Sequence, residues 1–307
     1  MRPKTLPALE TGAADKFREA GRIARDARLL GASMIRPGAR LEDVMRAVED
    51  YIRAEGGGPA FPAQTSRNHI AAHYCPRPGD PTTYEEEDVV KIDIGVEVDG
   101  YVADNAMTVY LGEKPQYQRL VEASAAGLKA AIETAGPGVR VREISAAIEA
   151  AIEAHGYRPV YNLTGHGVGR WTVHTGPSIP ATPDRWSDAV LEPGMVVAIE
   201  PFATDGHGNV HEAGRAEIFM IQKAPRKFKG LDTAVWAAIE AMHGLPFSRR
   251  TFDGLPEDAV EATLGRLTRT GCLMGFPPLV DPDPATRIAQ TEHTLLIGAD
   301  AAEVLTA

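Results

Sequence analysis

The feature that most constrains this chain is that it echoes itself. Residues 37–61 read PGARLEDVMRAVEDYIRAEGGGPAF and residues 137–161 read PGVRVREISAAIEAAIEAHGYRPVY; at an offset of 100, nine of 25 positions are identical. Helices rich in Ala and Glu inflate chance matches, so a second echo carries weight. Asp88-Val-Val-Lys-Ile-Asp93 resembles Met195-Val-Val-Ala-Ile-Glu200, each closing a β-branched strand with a carboxylate. Two copies of a helix–helix–loop–strand unit predict a core with pseudo-two-fold symmetry, and a site on its axis would draw a carboxylate from each half. Two copies at so long a period do not make a solenoid.

The periodicity fills in this unit. A long amphipathic helix is predicted over 13–35, with Phe17, Ala20, Ile23, Ala24, Ala27 and Leu30 at spacings of three and four, ended by Pro37-Gly38. A second helix follows over 41–55, closed by Gly56-Gly57-Gly58. Residues 222–280 do not repeat. They carry helical patterns over 231–243 and 257–270, the latter with an apolar face of Ala259, Leu264 and Leu267. The expected division is therefore a body of residues 1–221 and 281–307 and an inserted helical subdomain, 222–280. Arg249, Arg250, Arg266 and Arg269 would suit a nucleic-acid reader, but a solvated face accounts for them more simply.

Composition narrows the function classes. At 307 residues, 44% hydrophobic and 24% charged, the chain has enough apolar mass for a sizeable core. A net charge of −10 argues against an electrostatic grip on nucleic acid or an anionic membrane. The first residues lack a secretory apolar run, and nowhere do 18 apolar residues follow one another, so a soluble cytoplasmic protein is expected. Cys75 and Cys272 cannot make a disulfide framework, which fits a reducing compartment. With no long apolar edge in the sequence, a monomer is expected.

The chemistry concentrates around one hairpin. Alternating β-branched residues flank Asp99-Gly100, a strong two-residue turn signal. A turn there places Asp93 opposite Ala106 and Asp104 opposite Gly95, so the two carboxylates are diagonal neighbours on one face, ~7–8 Å apart at Cα. Two carboxylates on an apolar face need compensation, and a metal ion supplies it. The plainer alternative is that one Asp faces solvent and the other caps a bulge. Three more residues extend the set: His166 in Leu163-Thr-Gly-His-Gly-Val-Gly169, Glu200 at a strand end, and Glu292 inside Ala289-Gln-Thr-Glu-His-Thr-Leu-Leu-Ile297. Four carboxylates and one imidazole suit hard or borderline divalent ions rather than a thiolate-rich structural zinc site.

Together these stretches resemble the methionine aminopeptidases of the pita-bread metallopeptidase fold. They are FPA (61–63), IAAHY (70–74), KIDIG (91–95), DGYVAD (99–104), GHGVG (165–169), HTGPSIP (174–180), AIEPFAT (198–204) and TEHT (291–294). The inserted segment and the absence of a basic N-terminal extension make the chain similar to the archaeal form of the type II enzymes. The resemblance implies an α/β (α+β) pita-bread fold, with repeated halves around a curved antiparallel sheet and a helical insert. It implies metal ligands at Asp93, Asp104, His166, Glu200 and Glu292, holding two divalent ions (Co, Mn, Fe or Zn). By the same resemblance His73, His174 and Glu200 are catalytic, and Phe61, His73, His174, His211 and Phe276 bind substrate. Phe276 stands where that pattern commonly has Tyr, and Cys75 where it commonly has Thr. The implied activity is removal of the initiator methionine from nascent chains with a small second residue, with the ribosome as a candidate place of action.

Two other functions on the same fold, and two other uses of its residues, fit the sequence less well. A prolidase or aminopeptidase-P enzyme shares the fold, but its last ligand usually sits in an Arg-Glu-Asp pattern rather than Thr-Glu-His-Thr. A non-catalytic binding protein on the fold would have lost ligands, and all five are present. Cys75 lacks the partners of a thiol nucleophile. Gly165, Gly167 and Gly169 lack the spacing and following helix of a phosphate cradle. His69, His155, His207, His243 and His293 are expected at the surface or behind the site, His293 supporting Glu292.

Overall fold

Each half of the chain opens with two helices, and the two openings are built alike. The computed structural model describes residues 10–184, 188–225 and 230–307. Residues 1–9 and 185–187 of the expected body, and 226–229 of the expected insert, lie outside the described residues. The first half runs α1 (Ala13–Met34), α2 (Leu41–Ala54), β1 (Gly58–Pro59), β2 (Gln64–Arg67), β3 (Ile70–Ala72), β4 (Val89–Val98) and β5 (Tyr101–Tyr110). The second runs α3 (Pro115–Thr134), α4 (Val141–Ala154), β6 (Arg158–Pro159), β7 (Thr164–Gly169), β8 (Thr172–Pro180), β9 (Val196–Ile199) and β10 (Phe202–Thr204).

The sequence echo reappears as the same backbone device at the same offset. Before α2, Gly38 at φ 84° donates its N–H to Tyr84 O at 2.8 Å, and Leu41 N–H reaches Thr82 O at 3.0 Å. Before α4, Gly138 at φ 84° donates to Leu191 O at 2.8 Å, and Val141 N–H reaches Ala189 O at 2.9 Å. Neither helix has a side-chain cap; each borrows a neighbouring carbonyl to satisfy a first-turn donor instead.

The helices pack on antiparallel strands. In α1, Phe17, Ala20, Ile23, Ala24 and Ala27 are buried as the spacing predicts, but Leu30 is half-buried and Arg28 and Gly31 take the inward positions. With α2 this helix covers Ile92, Ile94 and Val96 of β4 in one apolar cluster. A second cluster forms between α3, α4 and the strands of the second half. β4 pairs with β5 through the Asp99-Gly100 turn in the predicted register, Asp93 opposite Ala106 and Gly95 opposite Asp104.

The rest of the chain completes the sheets and adds a third region. After β11 (His211–Glu212) and β12 (Ile218–Ile221) come α5 (Thr233–Glu240), β13 (Phe247–Ser248), the 3₁₀ turn η1 (Arg249–Phe252), α6 (Glu257–Arg269), β14 (Leu273–Phe276) and β15 (Leu279–Val280). The chain then closes with β16 (Ile288–Gln290), β17 (His293–Ile297) and β18 (Ala302–Val304). The helix predicted over 231–243 is shorter, because Asp232 caps it by accepting from Ala234 and Val235 N–H. In α6 Val260 and Thr263 join Leu264 and Leu267 on the buried face, while Ala259 is half-buried. The sequence reading of this region as purely helical missed β13 and β14, which flank β12 in a three-stranded sheet over a core of their own.

β17 lies between β18 and β9, and β7 and β8 continue that sheet. Two bridges, Ala106↔Glu292 and Tyr101↔Arg170, join it to β5. Both cysteines are free and buried, and no described helix is long and apolar enough to cross a membrane.

The matched glycines give a direct test of the repeat. A Cβ at Gly38 or Gly138 would meet nothing within 4 Å, so an alanine there costs only the left-handed backbone, ~1–2 kcal/mol. Gly38→Ala and Gly138→Ala should lower stability by similar amounts in chemical denaturation; a large inequality would break the equivalence of the two halves.

Candidate metal centre

The strand registers place the five expected ligands on one face. Asp93 faces Gln64 on one side and Ala106 on the other, and Ala106 bridges to Glu292. Two residues along, Gly95 faces Asp104, while Thr294 faces Ala198 and Ala198 faces His166. Thr294 Oγ1 ties these rows together, accepting from Asp104 N–H at 2.8 Å and donating to Asp104 O at 2.7 Å. Residues directly opposite, or two apart along a strand, share a face. Asp93, Asp104, His166 and Glu292 therefore point the same way, and Glu200, two beyond Ala198, joins them. Between them stand Gly95, Ala106 and Ala198, too small to fill the space. A Cβ at Gly95 would lie 2.2 Å from the Phe61 ring, so the glycine admits that ring against the sheet.

Ligand atoms of Asp104, His166 and Glu292 all lie within 4.8 Å of one another. His166 Nε2 is 3.8 Å from Asp104 Oδ2 and 3.6 Å from Glu200 Oε1. Its Nδ1 sits 3.2 Å from Gly167 O, an acceptor that suits a proton there, and its Nε2 faces the carboxylates.

The electrostatics of this cluster are unfavourable without a cation. Asp104 and Glu292 are 4% and 1% exposed. Among the described residues, none that lines the surrounding cavity is Lys or Arg. Burial pushes Asp93 up to about 7, and burial together with mutual repulsion holds Asp104, Glu200 and Glu292 well above the usual carboxylate range. Asp93 Oδ1, Asp104 Oδ1 and Glu292 Oε1 are buried and find no hydrogen-bond partner in the protein. Orphaned carboxylate oxygens converging beside an imidazole nitrogen fit a divalent metal, since buried charge persists only when compensated.

The cavity, of about 490 Å³, also receives His73, His174, Phe61 and Phe276. His73 meets Phe276 edge to face at 5.9 Å between ring centroids, and His174 meets His166 at 4.3 Å. Burial lowers His73 to about 4; a hydrogen bond from the ring to the Pro277 carbonyl works the other way. His174 stands solvent-accessible at the cavity's edge, yet its surroundings still lower its pKa through desolvation.

The structure does not bring His211 to this cavity. It is exposed on β11 opposite Val280, whereas Leu279, one residue away and on the alternate face of β15, is the residue that lines the cavity.

Three supporting residues escaped the sequence reading. Gln290 donates from Nε2 to Glu200 Oε2 at 3.2 Å; it lies two residues before Glu292, a spacing that shares a face. Gln64 Oε1 accepts from His73 N–H at 2.8 Å. Arg28, buried in the apolar stripe of α1, donates to Glu292 O and to Thr306 O, while His293 Nδ1 lies 2.8 Å from Thr306 Oγ1. An arginine four residues after Ala24 and three before Gly31 was the available signal.

These shifts set a pH dependence. Carboxylates whose folded pKa is raised keep their protons to higher pH, so stability from their neutral forms is present below ~4 and is lost as pH climbs through about 7. A divalent ion must displace those protons. Calorimetry with Mn²⁺ in buffers of different ionisation enthalpy should show net proton release at pH 6 and tighter binding as pH rises to 8; a flat profile without proton release would contradict the shared-proton cluster.

Comparison with known proteins agrees with this geometry. Residues 15–222 match the family described as metallopeptidase family M24, a span that holds four of the five expected ligands and stops short of Glu292. A methionine aminopeptidase of Pyrococcus horikoshii is 39% identical over 294 residues, 95% of this chain and 99% of its own. One from Methanocaldococcus jannaschii is 38% identical over 293 residues, 95% and 98% of the two chains. In fold, the chain matches the crystal structure of a methionine aminopeptidase from Thermotoga maritima with a TM-score of 0.72 at 24% identity, over 98% of this chain and 99% of that one. Carboxylates and an imidazole gathered in one pocket and similarity along nearly the whole length lead to one assignment: this chain belongs to metallopeptidase family M24.

Proposed function

We propose that this protein is a methionine aminopeptidase, hydrolysing the first peptide bond of polypeptides that begin with methionine. The observation that carries the reading is one cavity in which the carboxylate–imidazole cluster adjoins an apolar wall of Phe61, Ile218, Pro246 and Phe276. Such a wall takes an unbranched, polarizable thioether well. Full-length similarity to methionine aminopeptidases supports the same substrate class.

Asp93, Asp104, His166, Glu200 and Glu292 would hold the metal, which we propose to be two divalent ions (Co, Mn, Fe or Zn). When bound, the metal supplies Lewis acidity and lowers the pKa of water toward neutrality. The remaining work falls to the side chains. Glu200, held at Oε2 by Gln290, accepts the proton of the attacking water and returns it to the leaving amine. Because the His73 ring donates to Pro277, its other nitrogen is an acceptor and orients the peptide N–H at the scissile bond. His174, neutral, donates to the oxygen that gains charge. Asp93 at the cavity floor faces the substrate's free amine, which limits attack to the first bond.

The reading extends to a preference for a small second residue, nascent chains as substrate with the ribosome as a place of action, a monomeric state and a cytoplasmic location. It also keeps the division into a body, 1–221 with 281–307, and an insert, 222–280; the separate apolar core around Val235, Phe247, Leu264 and Leu267 supports that division.

The test uses Met-Ala-Ser and Ala-Pro peptides, before and after chelation and re-addition of single metals. Met-Ala-Ser should be cleaved only with metal, and Ala-Pro should not; the reverse preference would favour a proline-specific enzyme, and binding without cleavage a non-catalytic protein. His166→Ala should lose metal and activity together. His73→Ala should keep its metal and lose ~10²-fold in turnover; unchanged kcat in that variant would remove His73 from the mechanism.

A further inference from the structure

We propose that Arg250 is a positioning residue for the substrate cavity: one guanidinium in η1 fixes the two chain segments that present Phe61 and His73. The proposal rests on the reading of the cavity as the methionine-peptide site.

The sequence left Arg250 on a solvated face, and the structure overturns that. Arg250 is 4% exposed and pairs with Glu49 of α2, itself 5% exposed, at 2.5 Å. By itself such a pair is a poor stabiliser, because stripping water from two ions costs several kcal/mol per ion and apolar side chains often serve as well. The rest of the guanidinium gives the pair a different use. Nη2 also donates to Ala63 O at 3.0 Å, and Nη1 donates to Pro76 O and to Cys75 Sγ, the latter at 3.1 Å. Glu49 Oε1 in turn accepts from Ala63 N–H at 3.1 Å. Both backbone groups of Ala63 are thus tied to the ion pair, two residues after Phe61. The second anchor, Cys75-Pro76, lies two residues after His73.

His73 needs such an anchor. Its φ of 65° is in the left-handed region, which costs a non-glycine residue ~1–2 kcal/mol and persists where the surroundings over-determine it. Gln64 Oε1 holds its N–H, and Thr65 N–H to Tyr74 O at 3.0 Å joins the two segments. Arg250 closes the arrangement from the other side. Pro246, which lines the cavity with Phe61, precedes η1 by three residues, so the same clasp ties a third lining segment to the other two. The device needs a planar fork with five donors; a lysine keeps the charge and cannot span Ala63 O, Pro76 O and Cys75 Sγ together.

The experiment compares Arg250→Lys and Arg250→Met in the full Mn²⁺-loaded chain. Both should bind Mn²⁺ as tightly as the parent. Both should lose ~10²-fold in kcat/KM on Met-Ala-Ser below their melting temperatures, as displaced walls would cause. Lysine should restore thermal stability relative to methionine without restoring kcat/KM, a separation that a merely structural residue would not give. Hydrogen exchange should quicken in both segments, 61–64 and 72–76, of the lysine variant. Parental kcat/KM and exchange in that variant would overturn the proposal, and it decides the matter if Arg250→Met does not fold. Should the parent fail to cleave Met-Ala-Ser, the functional reading falls, while exchange in Arg250→Lys still decides whether the clasp exists.

Discussion

Four carboxylates share one face of a joined sheet, Asp104 and Glu292 buried and Asp93 and Glu200 half-buried, with no protein cation among the described residues that line their cavity. Much of the architecture answers to that placement. The bridge between Ala106 and Glu292 that joins the halves also delivers the last carboxylate, small residues at Ala106 and Ala198 leave space between the carboxylates, and Gly95 admits the Phe61 ring beside them. Without a cation, burial and mutual repulsion raise these pKa values so that the cluster holds protons, and a divalent ion that displaces them relieves the same repulsion.

The repeat explains where the carboxylates come from. Glu200 ends its strand as the echo predicts, whereas Asp93 stands midway along β4 because Ile94–Val98 continue the strand into the hairpin; Asp104 and Glu292 enter from the strands that pair with them. Yet the halves differ in what they add. The first supplies Phe61 and His73 on short strands and loops, whereas the second supplies His166 and His174 from the β7–β8 hairpin. A symmetric scaffold thus carries an asymmetric cavity: two imidazoles on one wall, and one imidazole with aromatic surface on the other.

How much of this was legible in the sequence followed the range of the interactions. The Asp99-Gly100 turn fixes its own register, so the positions of Asp93 and Asp104 were readable from local residues. The helix pairs were readable because their apolar spacing repeats. His166, Glu200 and Glu292 entered through motifs, and their convergence depends on non-local pairings, from His166 with Ala198 to Ala106 with Glu292, which no local pattern encodes. His211 shows the limit of motif transfer: strand alternation turns it away from the face that Leu279 lines. Arg250 shows the limit of composition, since a charged residue in an Arg pair looks solvated until its partners at Glu49, Ala63 and Pro76 are known. β13 and β14 were missed because short strands of two and four residues leave little periodic signal.

Everything in the proposed chemistry requires that Asp93, Asp104, His166, Glu200 and Glu292 together hold divalent metal. Anomalous diffraction at the manganese edge, from crystals grown with Mn²⁺, measures it most directly. A pair of anomalous peaks enclosed by these five side chains is expected. Peaks elsewhere, or none between these residues at saturating Mn²⁺, would contradict it.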